Sequence, residues 1–135
     1  MTNFGVRPKN CPNCETSDEW ASALAVQPDG KIVAAGATDV RGRENQRNGN
    51  PLDDFALARY TADGSLDPSF GSGGIVVTPF AGQSLVQGVG IQADGRIVAV
   101  GGGAGYFALA RYTAGGTLDA TFGHGGKVMT HFRTR

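Results

Sequence analysis

Long apolar runs are missing from this chain. No stretch approaches the roughly 20 residues that a membrane-crossing helix needs, so no helical span or membrane insertion is expected. A surplus of positive charge is missing too. Lys+Arg and Asp+Glu both number 12, and the formal net charge is zero. Nucleic acids and anionic membranes normally call for a basic excess, so neither partner is expected. Histidine is limited to His124 and His131, and cysteine to Cys11 and Cys14. Acid–base and metal chemistry therefore have little to build on. Residues 1–8 lack an apolar centre and do not read as a secretory signal.

Glycine, by contrast, is abundant, at 22 of 135 residues, and falls in short clusters between apolar runs. That pattern suits many short strands with tight turns and argues against long helices. The length is that of one ordinary domain with a buried core.

The strongest signal is duplication. Phe55-Ala56-Leu57-Ala58-Arg59-Tyr60-Thr61-Ala62 returns letter for letter as Phe107-Ala108-Leu109-Ala110-Arg111-Tyr112-Thr113-Ala114. Aligning residues 55–80 with 107–132 gives 18 identities in 26 positions. A tandem repeat decides the architecture before any residue chemistry is considered.

Unit one covers residues 20–80 and unit two residues 81–135. In unit one, Ala23-Leu24-Ala25-Val26-Gln27 alternates as a half-buried strand does. Pro28-Asp29-Gly30 is a turn, and Lys31-Ile32-Val33-Ala34-Ala35-Gly36 is the return strand. Unit two repeats this around Ala93-Asp94-Gly95 without the proline. The third strand is the duplicated stretch. Its small alanines on one face allow another sheet to approach closely. Leu66 and Phe70 are expected to plug the connection that follows. The fourth strand is Ile75-Val76-Val77-Thr78-Pro79-Phe80, matched by Lys127-Val128-Met129-Thr130-His131-Phe132. Pro79 places it at a sheet edge, or sits at its end. The expected fold is therefore all-β: two four-stranded antiparallel blade-like repeats of β-propeller type.

Two segments break the symmetry. Residues 37–54 make unit one 13 residues longer, since the repeat offset is 65 at Val26/Ile91 but 52 at Phe55/Phe107. This insertion is polar and reads as an exposed, mobile loop whose arginines, Arg41, Arg43 and Arg47, are balanced by Asp39, Glu44, Asp53 and Asp54. Residues 1–19 combine Thr2-Asn3-Phe4, which reads as the end of a preceding repeat strand, with an inserted loop carrying Cys11-Pro12-Asn13-Cys14. A Cys-x-x-Cys can be half a zinc site, a redox pair or a small disulfide. Zinc needs about four ligands, and the remaining soft donors, His124 and His131, lie far along the chain. A disulfide or two idle thiols is expected, zinc being the lesser alternative, and no other cofactor.

The composite pattern resembles the delta-60 repeat family of bacterial proteins. The matching residues are 23–36, then Asp54-Phe55-Ala56-Leu57-Ala58-Arg59-Tyr60, Asp63-Gly64-Ser65-Leu66-Asp67 and Phe70-Gly71 with Gly73-Gly74. The resemblance implies a propeller-like fold, commonly in large secreted or cell-surface proteins, and no catalytic residues.

Two blades leave two sheet faces and several strand edges open. Propellers typically close with four to eight blades. Self-association is therefore expected, or membership of a longer repeat array. About three or four copies would complete a ring of ordinary blade number. A simpler dimer that buries the open faces is the alternative.

Arg59 with Asp67, and Arg111 with Asp119, recur at the same spacing. A catalytic pair has no reason to appear once per blade, so these are expected to be structural ion pairs. Trp20, Tyr106 and His131 could line a ligand groove, on the analogy of clefts between propeller blades. The expected role is a non-enzymatic scaffold or binding surface, with a carbohydrate or protein ligand. An oligomeric glycan-binding lectin is one alternative, and a hydrolase with a loop-borne site another.

Overall fold

The computed structural model describes residues 19–44, 51–80, 84–103 and 105–132. These form eight strands and, among the described residues, no helix. One sheet takes β1 (Glu19–Val26), β2 (Ile32–Glu44), β3 (Pro51–Tyr60) and β4 (Ile75–Thr78), antiparallel and in chain order. The second takes β5 (Leu85–Ile91), β6 (Ile97–Gly103), β7 (Tyr106–Tyr112) and β8 (Lys127–His131) in the same order. Pro79 lies just beyond the edge strand β4, where no ladder donor is needed.

The first hairpin of each sheet is built from local chemistry. Gly30 donates to the Gln27 carbonyl at 2.9 Å, and the Asp29 carboxylate accepts from the Lys31 amide at 3.0 Å. Gly95, Gln92, Asp94 and Arg96 reproduce both bonds at 2.9 and 3.0 Å. The second turn lacks proline and keeps the same geometry, because the aspartate and the left-handed glycine carry it.

A bulge interrupts β1 between Ala21 and Ala23, and another interrupts β5 between Val86 and Gly88. Opposite them stand Gly36 and Gly101. A Cβ on either would lie 1.8 Å from a backbone carbonyl oxygen, of Trp20 or Leu85 respectively. The bulged strand presses onto its neighbour here, and only glycine leaves room.

The insertion in unit one is not the exposed loop that its polarity suggests. Residues 37–44 continue β2, and residues 51–54 begin β3. Their register runs Thr38↔Asp54, Asp39↔Asp53, Val40↔Leu52, then Glu44↔Pro51 across an irregularity. Thr38, Asp53 and Asp54 are buried, and the Asp53 carbonyl accepts from the Ser84 amide at 2.9 Å. Backbone pairing satisfies a strand whatever its side chains, so a polar insert can lengthen a hairpin as readily as loop out. Residues 45–50 lie outside the described residues.

The two sheets share one core. Cross-strand partners occupy the same face, so the register divides each sheet into a phenylalanine face and an alanine face. The first sheet contributes Val33, Ala35, Phe55, Leu57, Phe70 and Phe80. The second contributes Val86, Ile97, Ala99, Ala108, Ala110 and Tyr112. The phenylalanine face of the first sheet therefore packs on the alanine face of the second. Leu66 is half-buried and Phe70 fully buried. Within the core the Tyr112 hydroxyl bonds Thr78 Oγ1 at 2.6 Å, tying β7 to β4 across the sheets. Burial pushes the Tyr112 phenol up to about 12.

Candidate functional site

The chemistry-bearing residues gather where β3 and β7 end. After Tyr60 the chain turns back under its own strand. The Asp67 amide donates to the Arg59 carbonyl at 2.9 Å, and the Arg59 amide to the Gly74 carbonyl at 3.0 Å. In the second sheet Asp119 donates to Arg111 at 2.8 Å and Arg111 to Gly126 at 2.9 Å. This places each aspartate beside the arginine eight positions before it.

Each carboxylate is fully engaged. Asp67 Oδ2 accepts from Arg59 Nε at 2.9 Å and pairs with Lys31 Nζ at 3.1 Å. Asp67 Oδ1 accepts from the Ser69 amide at 3.0 Å and from Ser69 Oγ at 2.6 Å. Asp119 Oδ2 accepts from Arg111 Nε at 3.0 Å and Arg96 Nε at 2.8 Å. Its Oδ1 accepts from the Thr121 amide at 3.0 Å and Thr121 Oγ1 at 2.6 Å. Arg59 and Arg111 also lie over the rings of Phe70 and Phe122, at 4.7 and 4.6 Å.

Bonds to the ionised form favour it. Those from Ser69 hold the Asp67 carboxyl well below the usual carboxylate range. Those from Thr121 bring Asp119 down to about 2. Such a carboxylate is a poor proton acceptor at neutral pH. The arrangement is suited to pinning a connection to a strand.

Pairing Arg59 with Asp67 by spacing leaves out the second cation of each hub. Lys31 and Arg96 both follow the glycine of the first turn, Gly30 and Gly95. A basic residue recurring at that place in both units was the available signal. Only the antiparallel return of β2 and β6 brings it to the aspartate.

Tyr106 and His131 are brought together, with ring centroids 5.6 Å apart. The Tyr106 hydroxyl bonds Ser84 Oγ at 2.8 Å. Trp20 stands on β1 in the other sheet, 42% exposed. His124 and His131 are exposed, His124 in the turn before β8. Cys11 and Cys14 lie outside the described residues. Among the described residues no group of three or more His, Cys, Asp or Glu side chains is arranged to hold a metal ion.

Residues 27–70 and 92–122 match the family model described as a domain of unknown function (DUF5122) beta-propeller. Comparison with curated proteins and with solved structures gives no match. Each matched stretch runs from the turn glutamine, Gln27 or Gln92, to the phenylalanine just after the aspartate hub, Phe70 or Phe122. Together they span more than half of the residues, and the chain belongs to the DUF5122 beta-propeller family.

Proposed function

We propose that this chain is a non-enzymatic repeat module that serves as a scaffold or binding surface. The observation that carries this reading is the saturation of both aspartate hubs. Asp67 and Asp119 each spend both oxygens on four donors from their own sheet. The same constellation appears once per sheet, as a structural clamp would and as an active site would not. The finer kinship with the delta-60 repeats, and with it a bacterial, secreted or cell-surface setting, belongs to this reading. It rests on the residues 23–36, 54–60 and 63–67, and on Phe70-Gly71 with Gly73-Gly74.

The test is a broad esterase, glycosidase and phosphatase screen beside a glycan array. No turnover is expected. Turnover that survives repurification and is lost on substituting one residue would overturn the non-enzymatic reading. Glycan binding above background would replace a general scaffold by a lectin.

A further inference from the structure

The contact between the two sheets is written in residues that occur again, uncovered, on the outer faces. Phe55 and Phe80 are 0 and 4% exposed at that contact, whereas their repeat equivalents Phe107 and Phe132 are 57 and 52% exposed. On the alanine face, Val89 and Ile91 pack against the core, whereas their equivalents Leu24 and Val26 are 68 and 61% exposed. One chain thus carries an open phenylalanine face on its second sheet and an open alanine face on its first.

The polar latch between the sheets is duplicated in the same way. Arg59 Nη1 donates across the contact to the Ala114 carbonyl at 2.5 Å, and the Gly71 amide donates to the Gly115 carbonyl at 2.8 Å. Gly116 gives the Phe70 ring its place, since a Cβ there would meet that ring at 2.9 Å. The equivalent donors are Arg111 and the Gly123 amide. The equivalent acceptors are the carbonyls of Ala62 and Asp63, and the equivalent space lies over Gly64. Among the described residues Arg111 bonds to Asp119 and Thr121 of its own sheet, and its side chain is 22% exposed against 6% for Arg59. A Cβ on Gly64 would meet nothing within 4 Å.

We propose that the second sheet of one copy docks on the first sheet of another copy of this chain, head to tail, by repeating the contact already present inside the chain. Arg111 then donates to the Ala62 carbonyl of the second copy, Phe122 fills the space over Gly64, and Phe107 packs where Phe55 packs internally. The occupant is a second copy because this chain itself carries both halves of the contact, with Phe107, Phe122, Phe132 and Arg111 standing for Phe55, Phe70, Phe80 and Arg59. Such a contact is heterologous, so it propagates until rotation closes a ring. At two sheets per copy, rings of four to eight blades need roughly two to four copies.

The mass of the full chain across a concentration series, by sedimentation velocity and native mass spectrometry, is the first readout. The wild type is expected to associate beyond the monomer. Phe107→Asp blocks one face and Leu24→Asp the other, and each alone is expected to weaken self-association by roughly 100-fold. Mixed, the two variants retain one intact pair of faces and form a 1:1 dimer that grows no further. Both positions are more than half exposed in the single chain, and circular dichroism checks that each variant stays folded. A wild type that is monomeric throughout overturns the proposal without reference to any variant. A Phe107→Asp protein that still dimerises alone, with nothing gained on mixing, overturns it in favour of like faces meeting.

Discussion

Replacing the same phenylalanine in each repeat separates what the second sheet adds from what the sequence motif carries. Phe55 and Phe107 occupy identical motif positions. Each keeps an aromatic neighbour within its own sheet, Phe80 or Phe132, at 4.6 Å between ring centroids. That pair contribution therefore cancels in the comparison. Phe55 is fully buried against the opposite sheet, so Phe55→Ala should cost about 3–5 kcal/mol in lost transfer energy and residual cavity. Phe107 is 57% exposed, and water fills the space it leaves. Scaling a full burial value of about 1.5–3 kcal/mol by the buried remainder gives roughly 1 kcal/mol for Phe107→Ala. The expected gap of about 2–4 kcal/mol would appear in urea titrations at low protein concentration as midpoints separated by roughly 1–2 M. Equal costs within about 0.5 kcal/mol would refute the assignment of buried and open faces. Raising the protein concentration should narrow the gap if a second copy covers Phe107, since binding to the folded form adds stability by mass action.

Other consequences concern the hubs, the bulge and the inter-sheet bond. Asp67 and Asp119 have carboxyls lowered by folding from 3.8, so their stabilisation is present above pH 4 and lost as pH falls. For Asp119 the loss should run from about 4 down to about 2. Thermal melts across that range should show it, and a melt no less stable at the acid end than at neutral pH would contradict the hub. Gly101→Ala should destabilise by about 1–3 kcal/mol, at the upper end because the obstructing atom is backbone. Gly90→Ala, where a Cβ meets nothing within 4 Å, is the control, and chemical denaturation of both variants decides. Tyr112→Phe leaves Thr78 Oγ1 buried without its partner and should cost about 1–3 kcal/mol. Adding Thr78→Val should recover part of that loss, and strictly additive costs in the double-mutant cycle would show that the bond contributes nothing.

The letters of the chain by themselves determined the duplication, the order of strands and the turns. These depend on neighbours within a few positions. Asp29-Gly30 and Asp94-Gly95 close a turn with their own backbone, and the alternation of Phe55, Ala56, Leu57 and Ala58 sorts side chains onto two faces of one strand. The Arg59–Asp67 and Arg111–Asp119 pairs were legible for the same reason, being eight residues apart and repeated. Tertiary structure alone decided that residues 37–44 and 51–54 pair as strands, because their polar sequence carries no period from which the backbone ladder joining them could be read. It also brought Lys31 and Arg96 to the hubs, over separations of 36 and 23 residues. Above all it decided which of two identical motifs is covered. Phe55 and Phe107 follow the same local rules, and burial differs because only one of them faces a second sheet.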